Sequence, residues 1–226
     1  VLNPGDLNAL VLTLQLAATT VVILLVLGTP LAWWLAHSRS RWRTLVEATV
    51  ALPLVLPPTV LGFYLLLLLG PNGPVGGALV AMGGAPLAFT FAGLVVGSVV
   101  YSLPFVVQPL QNSFAAVGHG PLEAAATLGA GRRDRFFTVA VPLAARGFIS
   151  AVTLGFAHTV GEFGVVLMIG GNIPGRTQVV SIAIYDHVEA LDYGHAHVLS
   201  AMLLVLAFLL LCAVYWGNRR FRGVGA

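Results

Sequence analysis

The sequence predicts an all-α integral membrane protein with five transmembrane helices. Two observations carry this reading. Of the 226 residues, 58% are hydrophobic and only 8% charged, with a mean hydropathy of +0.94. The apolar residues also gather in long runs, between short polar stretches that hold the arginines. A water-soluble globule of this size needs far more polar cover. A span takes roughly 20 mostly apolar residues, and the runs at 9–36, 46–69, 87–107, 148–169 and 199–216 reach or approach that length.

Taken in order, the first run follows Val1–Asn8, which has no basic stretch. The run is longer than the ~7 to 15 residues of a signal-peptide core, so it is expected to remain as a span. Arg39, Arg41 and Arg43 come after it. The second run carries Pro53, Pro57 and Pro58; each removes a backbone donor and crowds the preceding turn, so this span should kink or start late. The uncharged, Gly- and Pro-rich stretch 70–86 reads as an external connector. The third run leads into 118–142, where Arg132, Arg133 and Arg135 lie, with Arg146 just beyond. The fourth contains Glu162. The stretch 171–198 is long for a bare connection, and its part 178–188 has helical character, either flat on the outer surface or re-entering the bundle. The fifth run holds the single cysteine, Cys212, and precedes Arg219, Arg220 and Arg222. Ten of the eleven arginines therefore share one side, and the positive-inside rule puts the N-terminus outside and the C-terminus in the cytoplasm.

The arginine-bearing island EAAATLGAGRRDRFFTVAVP, residues 123–142, should fold as a short helix, a turn and a second helix returning to the membrane at Pro142. Pro121 suits a first helical turn because its missing N–H has no partner there anyway, and Glu123 then sits where the helix dipole favours negative charge. Ala124, Ala125 and Ala126 are strong helix formers whose small side chains permit close approach to another protein. Gly129 supplies the left-handed stop. By these features alone the island is either a docking element or an ordinary amphipathic connector.

Glu162, flanked by Gly161 and by Phe163-Gly164, costs at least ~2.5 kcal/mol to insert unless paired or wetted, so it should face the bundle interior. It reads either as a residue beside a pathway or gate, or as a structural carboxyl paired with His158 one turn earlier. Gln15, Thr19, Thr20, Gln108 and Gln111 suit bonds between helices. His187, His195 and His197 are read as lacking the carboxylate or cysteine company of a metal site, so no metal is expected. Arg176, in the turn-like NIPGRTQ at 172–178, could meet an anion or an acidic docking protein, or anchor at headgroups. No phosphate-cradling GxxxxGK[ST] loop, no nucleophile with a spaced base and no basic stripe interleaved with aromatics is present. The chain is therefore expected to hold no catalytic residues, no cofactor and no nucleic acid.

The spacing of Glu123-Ala124-Ala125, Gly129, Val139 and Val141-Pro142 resembles the signature loop of ABC-importer permeases. The stretches 51–70 (ALPLVLPPTVLGFYLLLLLG), 161–164 (GEFG) and 171–196 (GNIPGRTQVVSIAIYDHVEALDYGHA) resemble the molybdate permeases, over nearly the whole chain. The likeness implies a single type I permease domain at 9–216 in the cytoplasmic membrane of a bacterium. It implies two copies joined to two cytoplasmic ATPases, which hold ATP and Mg, and an external molybdate-binding protein. Glu123, Ala124, Ala125, Gly129 and Pro142 would couple the chain to the ATPase. Gly161, Glu162, Gly164 and Asn172 would lie at the pathway or gate. Sulfate or tungstate is the alternative cargo, since sulfate permeases carry similar text in the DYGHA region. A proton-coupled transporter using Glu162 and His158 is the more remote one.

Overall fold

The computed structural model describes residues 3–220, with side chains described as far as Trp216. Arg222 and the side chains of Arg219 and Arg220, expected on the cytoplasmic side, lie outside that range. All regular structure among the described residues is helical.

Helix α1, Pro4–His37, starts where Asn3 and Asp6 cap each other: the Asp6 N–H donates to Asn3 Oδ1 at 2.7 Å and the Asn3 N–H to Asp6 Oδ2 at 3.3 Å, with Pro4 in the first turn. This box satisfies two N–H groups that the helix leaves unpaired. Helix α2, Trp42–Val55, contains Pro53; the chain then breaks at Leu56-Pro57 and resumes as α3, Pro58–Leu69, followed by α4, Pro74–Ala81. The second expected span, 46–69, is thus two helices. Pro57 and Pro58 in succession cannot donate to the turn before them, while Pro58 fits the first turn of a new helix.

Helix α5, Phe91–Val117, is the hub. It packs against α1, α2, α3 and two helices described below, and Leu94, Val106, Val107, Leu110 and Phe114 are fully buried. It runs ten residues past the expected end at 107, where Leu110 and Phe114 are fully buried and Gln111 Nε2 donates to Glu47 Oε1 of α2 at 2.6 Å. Helix α6, Gly120–Thr127, is the predicted short helix. Beyond its turn come α7, Arg132–Asp134, a π-helical turn at Arg135–Ala140, and α8, Val141–Leu143. The wider turn precedes Pro142, whose ring excludes an α-helical bond to the carbonyl four residues back.

Helix α9, Ala145–Val160, ends at Gly161, and α10, Gly164–Gly170, begins beyond Phe163. The fourth expected span, 148–169, is therefore interrupted at Glu162. Helix α11, Val180–Glu189, settles the question left by 178–188: it re-enters the bundle. Its Val180 N–H donates to Thr13 Oγ1, more than two turns into α1, at 2.8 Å, and Ser181 donates to the Glu162 carbonyl. Helix α12, Tyr193–Arg220, is the last element among the described residues.

Among the described residues, four helical stretches are long and apolar enough to cross a membrane: Pro4–His37, Pro58–Ala81, Phe91–Val117 and Tyr193–Trp216. A fifth is the pair Arg132–Leu143 and Ala145–Val160, if the 70° bend between them belongs to one span. Burial separates their roles: half of the most apolar window of α5 is buried but only 6% of that of α12, so α5 is core and α12 faces outward.

Candidate functional site

At the middle of the bundle, α5 offers Ser98 and Ser102 one turn apart on the face that meets the end of α9. Glu162 occupies the break between α9 and α10, its side chain fully buried. Both of its carboxyl oxygens accept: Oε2 from Ser98 Oγ at 2.6 Å and Oε1 from Ser102 Oγ at 2.8 Å. Ser102 also lies 2.9 Å from His158 Nδ1 and 3.0 Å from Thr159 Oγ1. A hydroxyl has one proton and two lone pairs. Once that proton goes to Glu162, His158 and Thr159 must both donate to Ser102, which assigns the ring proton to His158 Nδ1. The Glu162–His158 pair offered as one alternative is present, with Oε1 3.6 Å from Nδ1, and Ser102 bridges the two at hydrogen-bond distance. The carbonyl freed by the break is taken up by Ser181 of α11.

This network backs an open groove of about 500 Å³ lined by Pro58, Thr59, Tyr101, His158, Gly161 and Glu162 among others. His158 stacks on Phe105 with ring centroids 3.8 Å apart. A second groove of about 300 Å³ continues along the same face of α5 and α9, lined by Phe105, Gln108, Asn112 and Ser150 among others. The polar stripe Gln108, Asn112 and Ser150 was not singled out as a path from sequence, although Gln108 and Asn112, four apart on one helix, were its signal. Of the expected pathway set, Gly161, Glu162 and Gly164 come together here. Asn172 does not. It is exposed, and its Nδ2 donates to both carboxylate oxygens of Asp186 at 2.8 and 2.7 Å, which fastens the 171–178 loop to α11. Arg176 is exposed on the same loop.

At one end of the molecule, α6 is seated by Leu122, which is buried against the cluster of Phe114, Phe136 and Trp33. Arg135 Nη1 donates to the Leu122 carbonyl at 3.4 Å. Glu123 and Ala124 are exposed and Ala125 half-buried. Gly129 has φ +89°, and the Ala130 N–H returns to the Ala125 carbonyl at 3.0 Å, the expected left-handed stop. Pro142 is exposed in α8. Leu128, 88% exposed, and Phe137, 67% exposed, stand out beside this helix as apolar knobs. His37 at the end of α1 lies near His119, with ring centroids 5.7 Å apart, so the loop bearing Arg39, Arg41 and Arg43 shares this end with Arg132, Arg133 and Arg135.

At the opposite end, Asp6 is buried and its Oδ1 lies 2.8 Å from His187 Nε2. Asp192 Oδ2 lies 2.7 Å from His195 Nδ1 and 3.8 Å from His187 Nδ1. Bonds from the His195 ring and backbone N–H hold Asp192 below the usual aspartate range. The expectation that these histidines lack carboxylate company is corrected here: chain folding brings Asp6 to His187, and the turn at 190–192 brings Asp192 to both rings.

A polytopic helical bundle with a short docking helix at its arginine-rich end and a polar groove along a broken helix is the architecture of a membrane translocation component. The family model for the binding-protein-dependent transport system inner membrane component matches residues 28–223, and the chain belongs to that family, as a multi-pass inner-membrane protein. The molybdenum transport system permease protein ModB of Azotobacter vinelandii is 62% identical over 221 residues, covering 98% of this chain and 97% of the relative. The sulfate transport system permease protein CysT of Salmonella typhimurium is 35% identical, covering 98% and 79%. Among solved structures, a chain of a bacterial alginate ABC transporter superposes with a TM-score of 0.78 at 16% identity, covering 97% of this chain and 80% of that one, and shares its fold.

Proposed function

We propose that this chain is the translocation subunit of an ATP-driven importer that moves molybdate into the cytoplasm by alternating access. The single observation that carries the cargo is the 62% identity, end to end, with a relative named for molybdenum transport, against 35% for the sulfate permease. In this reading two copies pair with two cytoplasmic ATPase subunits, which bind ATP and Mg, and an external binding protein delivers the oxyanion. The arginine-rich end is then cytoplasmic, as the positive-inside rule requires. A dianion cannot cross hydrocarbon unaided, so the polar stripe of Tyr101, Gln108, Asn112, Ser150 and His158 would line its path where two copies meet. Glu162 lies behind that stripe, bonded to serines, and so acts by holding the break in α9–α10, without touching the anion.

On the ATPase side, α6 would seat in a cleft of the partner, with Glu123, Ala124, Ala125 and Gly129 at the contact, Leu128 as its apolar plug and Pro142 shaping the return to the bundle. Nucleotide-driven closure of the ATPase pair would draw the two α6 helices together and open the path outward. Re-expression in cells lacking the chain should restore molybdate uptake at low external concentration, and excess sulfate should leave it intact. Uptake abolished by sulfate would move the cargo to sulfate or a broader oxyanion set, and no restoration would sink the molybdate reading.

A further inference from the structure

The end of the bundle away from α6 carries a cluster that none of this transport chemistry uses. We propose that His187, Asp192 and His195 form a three-ligand site for a borderline divalent cation of the zinc type. One ligand atom from each of the three residues lies within 4.8 Å of the other two. Around tetrahedral zinc, with bonds near 2.0–2.1 Å, ligand atoms stand about 3.3 Å apart. The present separations from Asp192 Oδ2, 2.7 Å to His195 Nδ1 and 3.8 Å to His187 Nδ1, straddle that value, and the two rings, stacked at 22° with centroids 5.3 Å apart, would turn to aim both nitrogens at one centre.

An independent observation orients the set. His187 Nε2 faces buried Asp6 at 2.8 Å. A carboxylate there accepts a hydrogen bond from Nε2–H and leaves the Nδ1 lone pair on the side of Asp192, the arrangement by which a second carboxylate commonly fixes a metal-binding imidazole. Asp192 divides its own oxygens: Oδ1 accepts the His195 backbone N–H at the start of α12 at 3.3 Å, and Oδ2 faces the two rings. Binding through His195 Nδ1 would put the cation where the ring proton now faces Asp192, that proton moving to Nε2 of the neutral ring. Two imidazoles and one carboxylate favour Zn²⁺, Co²⁺ or Ni²⁺ over Mg²⁺ and Ca²⁺, which prefer all-oxygen sets. The three ligands come from the end of α11, the following turn and the start of α12, and Asp6 comes from α1. A bound cation would therefore brace the re-entrant helix, whose other end rests on the Glu162 break.

The test uses the full chain purified in detergent without a histidine tag, with Co²⁺ as a spectroscopic probe and Zn²⁺ as competitor. One Co²⁺ per chain is expected, with the visible absorption of a low-coordinate site, displaced by Zn²⁺ and unaffected by excess Mg²⁺. His187→Ala and His195→Ala should each weaken binding by more than about tenfold, and Asp6→Asn, which removes only the outer carboxylate, by about 10- to 100-fold. His197→Ala should leave binding unchanged. His195 is half-exposed on the first turn of α12, so His195→Ala keeps the test valid if variants at the more enclosed His187 fail to fold. Absence of the Co²⁺ spectrum, or full binding by the His195→Ala variant, would overturn the site.

Discussion

Ser102 is the residue on which the interior polar network turns. Its one hydroxyl serves Glu162, His158 and Thr159. In Ser102→Ala three polar groups lose a partner at once, each at about 1–3 kcal/mol where water cannot reach it. The variant should insert into the membrane but show a markedly lower apparent thermal midpoint in detergent, whereas Ser98→Ala, which strips only Glu162 Oε2, should shift it less. Equal midpoints for the two variants would contradict the central role of Ser102. Glu162 was legible in the sequence because an acidic residue in an apolar run must be compensated. Its partners were not legible. Serines in membrane helices ordinarily bond back to their own turn, and only the facing of α5 against the broken helix shows that this pair does otherwise. Asn172 misled for the converse reason: an amide beside a turn signal looks like a ligand until Asp186, 14 residues on, is found to occupy it.

Among the elements, α6 lies where the sequence places a short helix because Pro121, Glu123 and Gly129 are local signals, each acting within one turn. The breaks in α2–α3 and α9–α10 were harder. Hydropathy averages over a window, and a few residues of interrupted helix do not lower the mean. Pro57 and Pro58 gave warning of the first, but nothing local marks the second except Gly161 and Gly164 around a carboxyl. Two predictions belong here. Gly129→Val forces a β-branched residue to φ +89° and costs at least about 1–2 kcal/mol in that turn. It should leave the bundle and its insertion intact while abolishing uptake and weakening co-purification of the ATPase; normal uptake would remove α6 from the coupling role. Leu128→Ala should reproduce the loss of co-purification without disturbing the fold, since the side chain is 88% exposed. In the other half of the molecule, a Cβ on Gly62 would stand 2.8 Å from Met168 Cβ and 3.2 Å from Val165 Cα. Gly62→Leu should therefore separate α3 from α10, a clash of about 1–3 kcal/mol read as a lowered thermal midpoint.

For the whole molecule, the distribution of exposed surface separates lipid from partner. Helix α12 presents Leu204, Val205, Phe208 and Leu209 outward, a uniformly apolar face suited to hydrocarbon. The α5–α9 face carries Tyr101, Gln108, Asn112, Ser150 and His158 in open grooves, where lipid would leave amide and hydroxyl groups without partners. A face that is polar at membrane depth must meet water or protein, and a single copy has no wall to enclose the water. A second copy related by a two-fold axis would supply that wall and turn two grooves into one path. Cysteine placement checks this. With the single native Cys212 replaced by serine, Thr59→Cys or Ser150→Cys on the groove should yield a dimer-sized product with a short thiol-specific cross-linker in native membranes. Leu204→Cys on the lipid-facing side should not. Cross-linking confined to Leu204→Cys would instead place the partner on α12 and leave the groove facing something other than a second copy of this chain.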